Sequence, residues 1–311
     1  MNPLTRLAYA PFLAQLVIIR RCNLACGYCN EFDDSSDPVD TAALKARIDR
    51  LKALGTFSLE LTGGEPMLHP DVYELIRYAR AKSFTKVMMI SNAYLLNERK
   101  IEALNEAGLM ELQVSVDGVK PNDVTVKVLE PMMPKLRALA KAARFKVVLS
   151  AVLGATKPEE VLTVAQTARE LGFRPRVLVL HDGSGQLQLS EEERATFAQV
   201  KKTVGTRRFR EAGDYRDRIL QTGKAPFKCR AGSRYLYVDE LGDVHWCSQM
   251  REAFKKPLLE YTEQDLKQQF YTHKSCADAC TIGCVRTQSA YDEWRGQPGE
   301  DNGGRRRLPV V

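Results

Sequence analysis

From residue 13 to residue 181 the chain alternates between two hydrophobic periods. Short apolar, β-rich runs occur at LAQLVIIR (13–20), SLELTGG (58–64), KVMMIS (86–91), MELQVSVDG (110–118), KVVLSAVL (146–153) and RVLVLH (176–181). Each of the first five leads into a stretch with apolar residues at helical spacing, over about 41–54, 70–82, 97–107, 131–143 and 158–171. Pro70, Pro131 and Pro158 stand at or near the starts of such stretches, where a missing N–H costs little. Gly55, Gly108 and Gly172 stand just past helix ends, the place for a left-handed cap. Strands that are apolar nearly throughout, alternating with helices, predict a parallel sheet buried under helices. Six such units exceed a small doubly wound domain, and no G-x-G-x-x-G turn follows the first strand. The pattern therefore predicts an α/β fold, a partial (β/α)6 TIM-like barrel, in which chemistry gathers at the C-terminal ends of the strands.

Beyond residue 181 the rhythm changes. A further helix is predicted at about 190–203, opened by Ser190 and three glutamates in the manner of a capping box. From residue 225 the periodicity weakens, and RYLYVDELGDVHWC reads as a hairpin turning at Leu241-Gly242-Asp243. The expected organisation is a lead-in over 1–12, a barrel over 13–205, a charged linker over 206–224, a small metal-braced domain over 225–295 and a loose Gly-, Pro- and charge-rich tail over 296–311.

Composition narrows the classes of function. The 311 residues are 44% apolar and 27% charged, ordinary values for a chain with a packed core. The net charge of +7 is mild and is concentrated in Arg207, Arg208, Arg210, Arg216 and Arg218 and in Arg305, Arg306 and Arg307. Such runs read as solvated faces, and no basic groove interleaved with aromatics points to nucleic acid. No stretch reaches membrane-spanning length. The apolar start, LAYAPFLAQLVII, has no small-residue cleavage site and reads as a lead-in to the first strand rather than a signal peptide. The expected location is the cytoplasm, where clustered cysteines point to metal more than to disulfides. There is no Walker loop, G-x-S-x-G elbow or H-E-x-x-H helix, which argues against the common kinase, hydrolase and metalloprotease chemistries.

The eight cysteines fall into two groups, Cys22, Cys26 and Cys29, then Cys229, Cys247, Cys276, Cys280 and Cys284. Core cysteines would be scattered through the strands; two tight groups suggest two metal sites. The first group has the spacing C-x3-C-x2-C directly after the first strand. Three thiolates are one fewer than a structural zinc or a complete iron–sulfur site needs. They suit either a cluster with one open iron or three of four zinc ligands, with a fourth such as His69.

Here the chain resembles the radical S-adenosylmethionine (SAM) superfamily, whose hallmark is this spacing in the loop after the first strand. The resemblance implies a [4Fe–4S] cluster on Cys22, Cys26 and Cys29 whose open iron is chelated by SAM. Reductive cleavage of SAM then gives methionine and a 5′-deoxyadenosyl radical, chemistry carried by the cofactors. It also implies that Tyr28 packs near the adenine. The run Gly63-Gly64-Glu65-Pro66 at the end of the second strand is similar to the family's GGEP segment, which binds the SAM amino group. Ser91-Asn92, followed by Ala93 where the family has glycine, resembles its third-strand motif. Ser115 and Asp117 resemble its S-x-D-G motif, and Ser150 matches a further polar position. These side chains are expected to meet the ribose and carboxylate of SAM. The segment after S-x-D-G departs from that of many peptide-modifying relatives, which weakens inferences about substrate.

Cys229, Gly242 and Cys247 match the opening of the auxiliary-cluster domains called SPASM and twitch, and Cys276-x3-Cys280-x3-Cys284 supplies further thiols. Five cysteines fit one auxiliary [4Fe–4S] cluster, as in twitch-like domains, with Cys229, Cys247, Cys284 and either Cys276 or Cys280 as ligands. A structural zinc using His245 or His273 is the plainer alternative. The leftover thiol among Cys276 and Cys280 is either an inert core residue or a hydrogen-atom donor to a substrate radical. The four-residue spacing places all three of the last cysteines on one face if the segment is helical. Trp246, beside Cys247, is either a packing residue or a shield for the cluster, and His181-Asp182-Gly183 end the sixth strand as a simple turn or as an adenine or substrate contact.

The expected function is hydrogen abstraction from a C–H bond of a small-molecule or short-peptide substrate, leading to oxidation, epimerisation or bond formation. A flavodoxin or ferredoxin is expected as reductant, with no nucleic-acid or membrane partner. With 21 residues ahead of Cys22, no leader-binding domain is expected before the barrel. The alternatives are a non-radical SAM-dependent transferase and a non-catalytic iron–sulfur or zinc protein.

Overall fold

The computed structural model describes residues 7–29, 33–179, 190–204, 218–219 and 221–296. His181, Asp182 and Gly183, most of the 206–224 linker and nearly all of the 296–311 tail lie outside the described residues.

Six parallel strands alternate with helices along the first two thirds of the chain. They are β1 (Leu13–Ile19), α1 (Thr41–Ala53), β2 (Ser58–Gly63), α2 (Val72–Ala81), β3 (Lys86–Ser91), α3 (Glu98–Ala107), β4 (Glu111–Ser115), α4 (Leu129–Ala142), β5 (Lys146–Leu153), α5 (Pro158–Glu170) and β6 (Arg174–Val179). The helices start and stop where the sequence dictates. Asp40 and Asn97 cap α1 and α3 by accepting from Ala43 N and Lys100 N. Pro158 opens α5. Gly55, Gly108 and Gly172 all adopt left-handed φ, at 85°, 84° and 75°. Helix α6 (Glu191–Val204) has the expected capping box, Ser190 N donating to Glu193 Oε2 and Glu193 N to Ser190 Oγ. Helix α4 departs from expectation, starting two residues before Pro131 and carrying Pro134 in its interior.

The strands lie in the order β6-β5-β4-β3-β2-β1 and continue through β7 (Tyr235–Val238), β8 (Asp243–His245) and β9 (Lys256–Pro257). The six βα strands form the open parallel sheet of a partial barrel. The hairpin of the last third does not stand apart from it: β7 pairs parallel with β1, Leu13 to Tyr235 and Leu16 to Val238, and β8 and β9 add antiparallel. Two short helices complete the described chain, α7 (Glu263–Tyr271) and α8 (Gly283–Ala290).

The sheet has two chemically different faces. Ala14, Leu16 and Ile18 pack with Leu44, Ile48 and Leu51 of α1 in the large outer core. Leu13 and Val17 point the other way and pack with Met88, Tyr235, Tyr237 and Val285. Polar groups are mixed into this inner face and bonded to one another. Gln15 Nε2 donates to Glu60 Oε2 at 2.6 Å, Tyr235 donates to Gln15, and Arg176 Nη1 donates to Gln113 Oε1 at 2.6 Å.

The C-terminal segment is fastened to the start of β1 by a buried ion pair. Arg234 and Asp292 side chains are 5% and 7% exposed, and Arg234 Nη1 also donates to the carbonyls of Ala10 and Leu7. Removing the carboxylate leaves a guanidinium buried without its charge partner. Asp292→Ala is therefore expected to cost about 3–5 kcal/mol in equilibrium denaturation. A loss below about 1 kcal/mol would show that the pair does not anchor this segment.

Candidate functional site

The first three cysteines sit on a loop pinned from three sides. Cys22 N donates to Asp33 O, Gly27 N to Val124 O, and Glu65 N, from the end of β2, to Arg21 O. The β2 exit crosses the β1 exit so closely that only glycine fits. A Cβ on Gly63, whose φ is 137°, would lie 2.0 Å from the Ile19 carbonyl oxygen, and one on Gly64 2.2 Å from that of Arg20. The glycine pair thus serves an approach of the chain to itself, and it fixes the cysteine loop relative to the second strand.

Glu65 is fully buried and spans two strand ends. Its Oε1 accepts from Met67 N at 3.0 Å and Ser91 Oγ at 2.8 Å, and its Oε2 from Asn92 N at 2.7 Å. Burial raises its pKa while these three donors lower it. A carboxylate offers about four acceptor positions, so little of Glu65 is left for a ligand's ammonium group. Pro66 is buried at the start of the following 3-10 turn. Asn92 reaches back to the loop, its Nδ2 donating to Asn23 Oδ1 at 2.8 Å and lying 3.6 Å from Cys22 Sγ. Ala93 takes φ 60°, which explains why glycine suits that position.

Asp117, at the β4 exit, is 0% exposed. Its Oδ2 accepts from Tyr28 Oη at 2.7 Å and Thr125 Oγ1 at 2.8 Å, and Lys127 Nζ lies 3.7 Å away. Its Oδ1 is buried with no hydrogen-bond partner. Burial, then the Asp117 charge, pushes the Tyr28 hydroxyl far above its ordinary pKa, so it remains a donor. Tyr28 is thereby held in place between the cysteine loop and Asp117, with Lys127 Nζ 4.8 Å from its ring centre. Ser115 is half-buried beside Ser150 in register, and the Ser150 hydroxyl turns back to Val114 O at 3.4 Å. Thr125 and Lys127 were not expected from the sequence, and no spacing singles them out.

A cavity of about 290 Å³ opens between these strand ends and the C-terminal segment. Tyr28, Thr62 and Ile90 line one side, and Gln15, Gln113 and Arg176 rise from the inner face of the sheet. Thr281 and Cys284 close it from the C-terminal segment. Thr281 Oγ1 is buried without a partner. Of the five late cysteines only Cys284 lines this cavity; Cys276 and Cys280 do not.

Those five thiols approach one another without forming a single helix face. Ala277–Ala279 close a 3-10 turn with Cys276 before it and an extended Cys280 after it, and α8 starts only at Gly283. The four-residue spacing is therefore split between a turn, an extended link and a helix. Burial, reinforced by the charges of Cys284, Cys229 and Cys276, pushes the Cys247 thiol up to about 12. Burial also raises Cys229, Cys276, Cys280 and Cys284, with Cys229 and Cys247 acting on Cys280. In the first group Cys22 is raised by burial, and Glu65, Cys29 and Cys26 add to the shift.

All the thiols of both groups are free, and all-thiol donor sets are those that iron–sulfur clusters take. Among the described residues no three His, Cys, Asp or Glu side chains converge on a point that could grip one ion. Two of the three histidines offered as zinc ligands are otherwise engaged. His69 accepts from Asp71 N through Nδ1 and meets Val39 O through Nε2. His245 bonds Asp239 through Nε2 and the carbonyls of Arg251 and Phe254 through Nδ1. His273 is exposed.

The family described as the radical SAM superfamily matches residues 16–198. A PqqA peptide cyclase from Gluconobacter oxydans is 37% identical over 110 residues, which cover 34% of this chain and 30% of that protein. An AdoMet-dependent heme synthase from Methanosarcina barkeri is 30% identical over 171 residues, covering 52% of this chain and 48% of that protein. The matched region thus spans between about a third and a half of these curated relatives. Among solved structures, SuiB of Streptococcus suis bound to precursor peptide SuiA superposes with TM-score 0.62 and 16% identity over 88% of this chain and 72% of that one. Native anSMEcpe with bound AdoMet gives 0.58 and 16% over 82% and 80%. At that identity the likeness is one of fold. No helix among the described residues is long and apolar enough to cross a membrane.

Two substitutions test the mouth of the barrel. Gly64→Ala sets a methyl against backbone that cannot yield and is expected to lower iron retention by the first cysteine loop along with thermal stability. Tyr28→Phe removes one of the donors to a fully buried carboxylate, an expected loss of about 1–3 kcal/mol in denaturant unfolding.

Proposed function

The chain belongs to the radical SAM superfamily, and from that membership we propose that it is an enzyme that cleaves SAM reductively and takes hydrogen from a C–H bond of a substrate held in the barrel. Cys22, Cys26 and Cys29 hold a [4Fe–4S] cluster with one open iron for SAM. When bound, the cluster and SAM together supply a carbon-centred radical by one-electron cleavage of a C–S bond. Everything else is positioning by this chain.

The observation that carries the proposal is the stitched loop. The loop that carries its three thiols is pinned by backbone hydrogen bonds to Asp33, Glu65 and Val124, and its Tyr28 borders the cavity. Gly63, Gly64, Glu65 and Pro66 set the floor of the SAM site, with Glu65 acting through Ser91 and Asn92 rather than on the ligand itself. Asp117 Oδ1, a buried acceptor without a donor, suits a hydroxyl or ammonium hydrogen of SAM. Ser115 and Ser150 flank it on the same strand ends.

The substrate is a short peptide or a small molecule whose reacting group enters the cavity. At about 290 Å³ the cavity is near the lower end of ligand sites, so it admits a side chain or a compact molecule. Arg176 and Gln113 supply a cationic and an amide donor on one wall, and Thr281 an unpartnered hydroxyl on the other. The name of the PqqA peptide cyclase, the relative that is 37% identical over its matched stretch, supports a peptide. Cys229, Cys247, Cys284 and one of Cys276 and Cys280 hold an auxiliary [4Fe–4S] cluster, which brings that cluster to the cavity wall through Cys284. An external one-electron donor of flavodoxin or ferredoxin type reduces the first cluster, and a soluble cytoplasmic enzyme is the natural setting for such a donor.

The test is anaerobic reconstitution. The chain is expected to form 5′-deoxyadenosine from SAM and dithionite, and Cys26→Ala is expected to form none. Stoichiometric zinc with no SAM cleavage would overturn the proposal. Cys284→Ser is expected to cut the iron content roughly in half, because one of the two clusters loses a ligand. If full iron is retained, Cys284 is the leftover thiol, and deuterium from solvent then tests it as a hydrogen donor to product.

A further inference from the structure

The second cysteine group is set among buried cations. Lys274 follows α7 and is 2% exposed. Its ammonium donates to the Gln269 carbonyl and lies 5.5 Å from the centre of the Trp246 ring. Trp246 is held in turn by a bond from its Nε1 to Gln269 Oε1 at 2.8 Å and by stacking on Phe254. Trp246 packs in one cluster with Cys229, Cys247 and Cys284, Cys276 lies two residues along the chain from Lys274, and among the described residues no carboxylate pairs with the Lys274 ammonium. A second buried cation, Arg286, packs 3.8 Å over the Phe227 ring, and its charge acts on Cys229 and Cys280.

An ammonium removed from water costs several kcal/mol unless an opposite charge faces it. Protonated thiols supply none. Thiolates ligating a cluster leave the whole assembly net negative, and the charge they carry is the one that would complete this arrangement. We infer that Lys274 is the buried counter-ion of the auxiliary cluster, holding its reduction potential up and tying the stability of the C-terminal segment to cluster binding. The inference rests on the reading that residues 229–284 carry such a cluster. A fixed positive charge beside a redox centre favours the state with the extra electron, which sets the sign.

Lys274 also meets a carbonyl in the last turn of α7, where a cation is favourable without any cluster. The experiment must separate the two roles. In the full chain carrying Cys22→Ala, Cys26→Ala and Cys29→Ala, only the auxiliary cluster remains to be titrated. Lys274→Met is expected to lower its midpoint by at least a tenfold change in the oxidised-to-reduced ratio at fixed potential, 59 mV for a one-electron couple, in an EPR-monitored titration. Lys274→Arg is expected to restore it. Without iron, the Met variant is expected to unfold no more readily than its parent, whereas with iron it loses the metal faster to a chelator. Lys274→Gln, which keeps a donor for Gln269 without the charge, carries the same titration if the Met variant does not fold. An unchanged midpoint, or equal destabilisation with and without iron, reduces Lys274 to a helix cap and overturns the inference. A parent chain that binds no iron overturns the auxiliary cluster itself.

Discussion

The mouth of the barrel depends on one steric constraint, the crossing of the β2 exit over the β1 exit at Gly63 and Gly64. Carbonyls of Ile19, Arg20 and Arg21 occupy the space that any side chain would need. Because the two exits touch, hydrogen bonds from Gly64 and Glu65 stitch the cysteine loop to the second strand. Glu65 then carries the same restraint to Ser91 and Asn92 on the third strand, and Asn92 returns it to Asn23 and Cys22. Residues that look like separate binding motifs form a closed mechanical circuit. Such closure leaves the cysteine loop little freedom to shift relative to the strand ends, and small displacements are costly at any catalytic site.

The inner face of the sheet shows a second principle. Parallel strands covered on one side by helices bury that side wholly in hydrocarbon, and the outer core does so. The inner side is free to carry polar groups provided they satisfy one another, which Gln15, Glu60 and Tyr235 do on one flank and Gln113 and Arg176 on the other. Mutual pairing keeps these groups folded against the sheet and presents donors to the lumen in fixed directions.

Most of the barrel and the first cysteine loop were legible in the sequence, because strand and helix periods, left-handed glycine caps and thiol spacing are local signals. Gly108 capping α3 and Ser190 opening α6 are examples. What the sequence concealed was lateral. Gln15, Glu60, Gln113 and Arg176 sit at inward positions of otherwise apolar strands, a sign visible in each run yet meaningful only once register sets Gln15 beside Glu60. The role of Glu65 as a brace depends on partners 26 and 27 residues away. The spacing of Cys276, Cys280 and Cys284 imitates a helix that the backbone does not form, since local repeat cannot tell a helix from a turn followed by an extended link. Residues assigned by composition to a separate domain gave β7 to the barrel's own sheet, a pairing no local pattern encodes.

That pairing has a consequence for how the chain is made. β1 is made more than 200 residues before β7, yet one of its two edges is filled by that strand, in register from Leu13 to Tyr235. Until the last third of the chain arrives, the strand that leads into the first cysteine loop presents a row of unsatisfied amides to any passing extended segment. A contact of such long sequence separation is slow to close. A barrel that folds as it is made therefore carries an open seam beside the first cysteine loop until β7 has been synthesised.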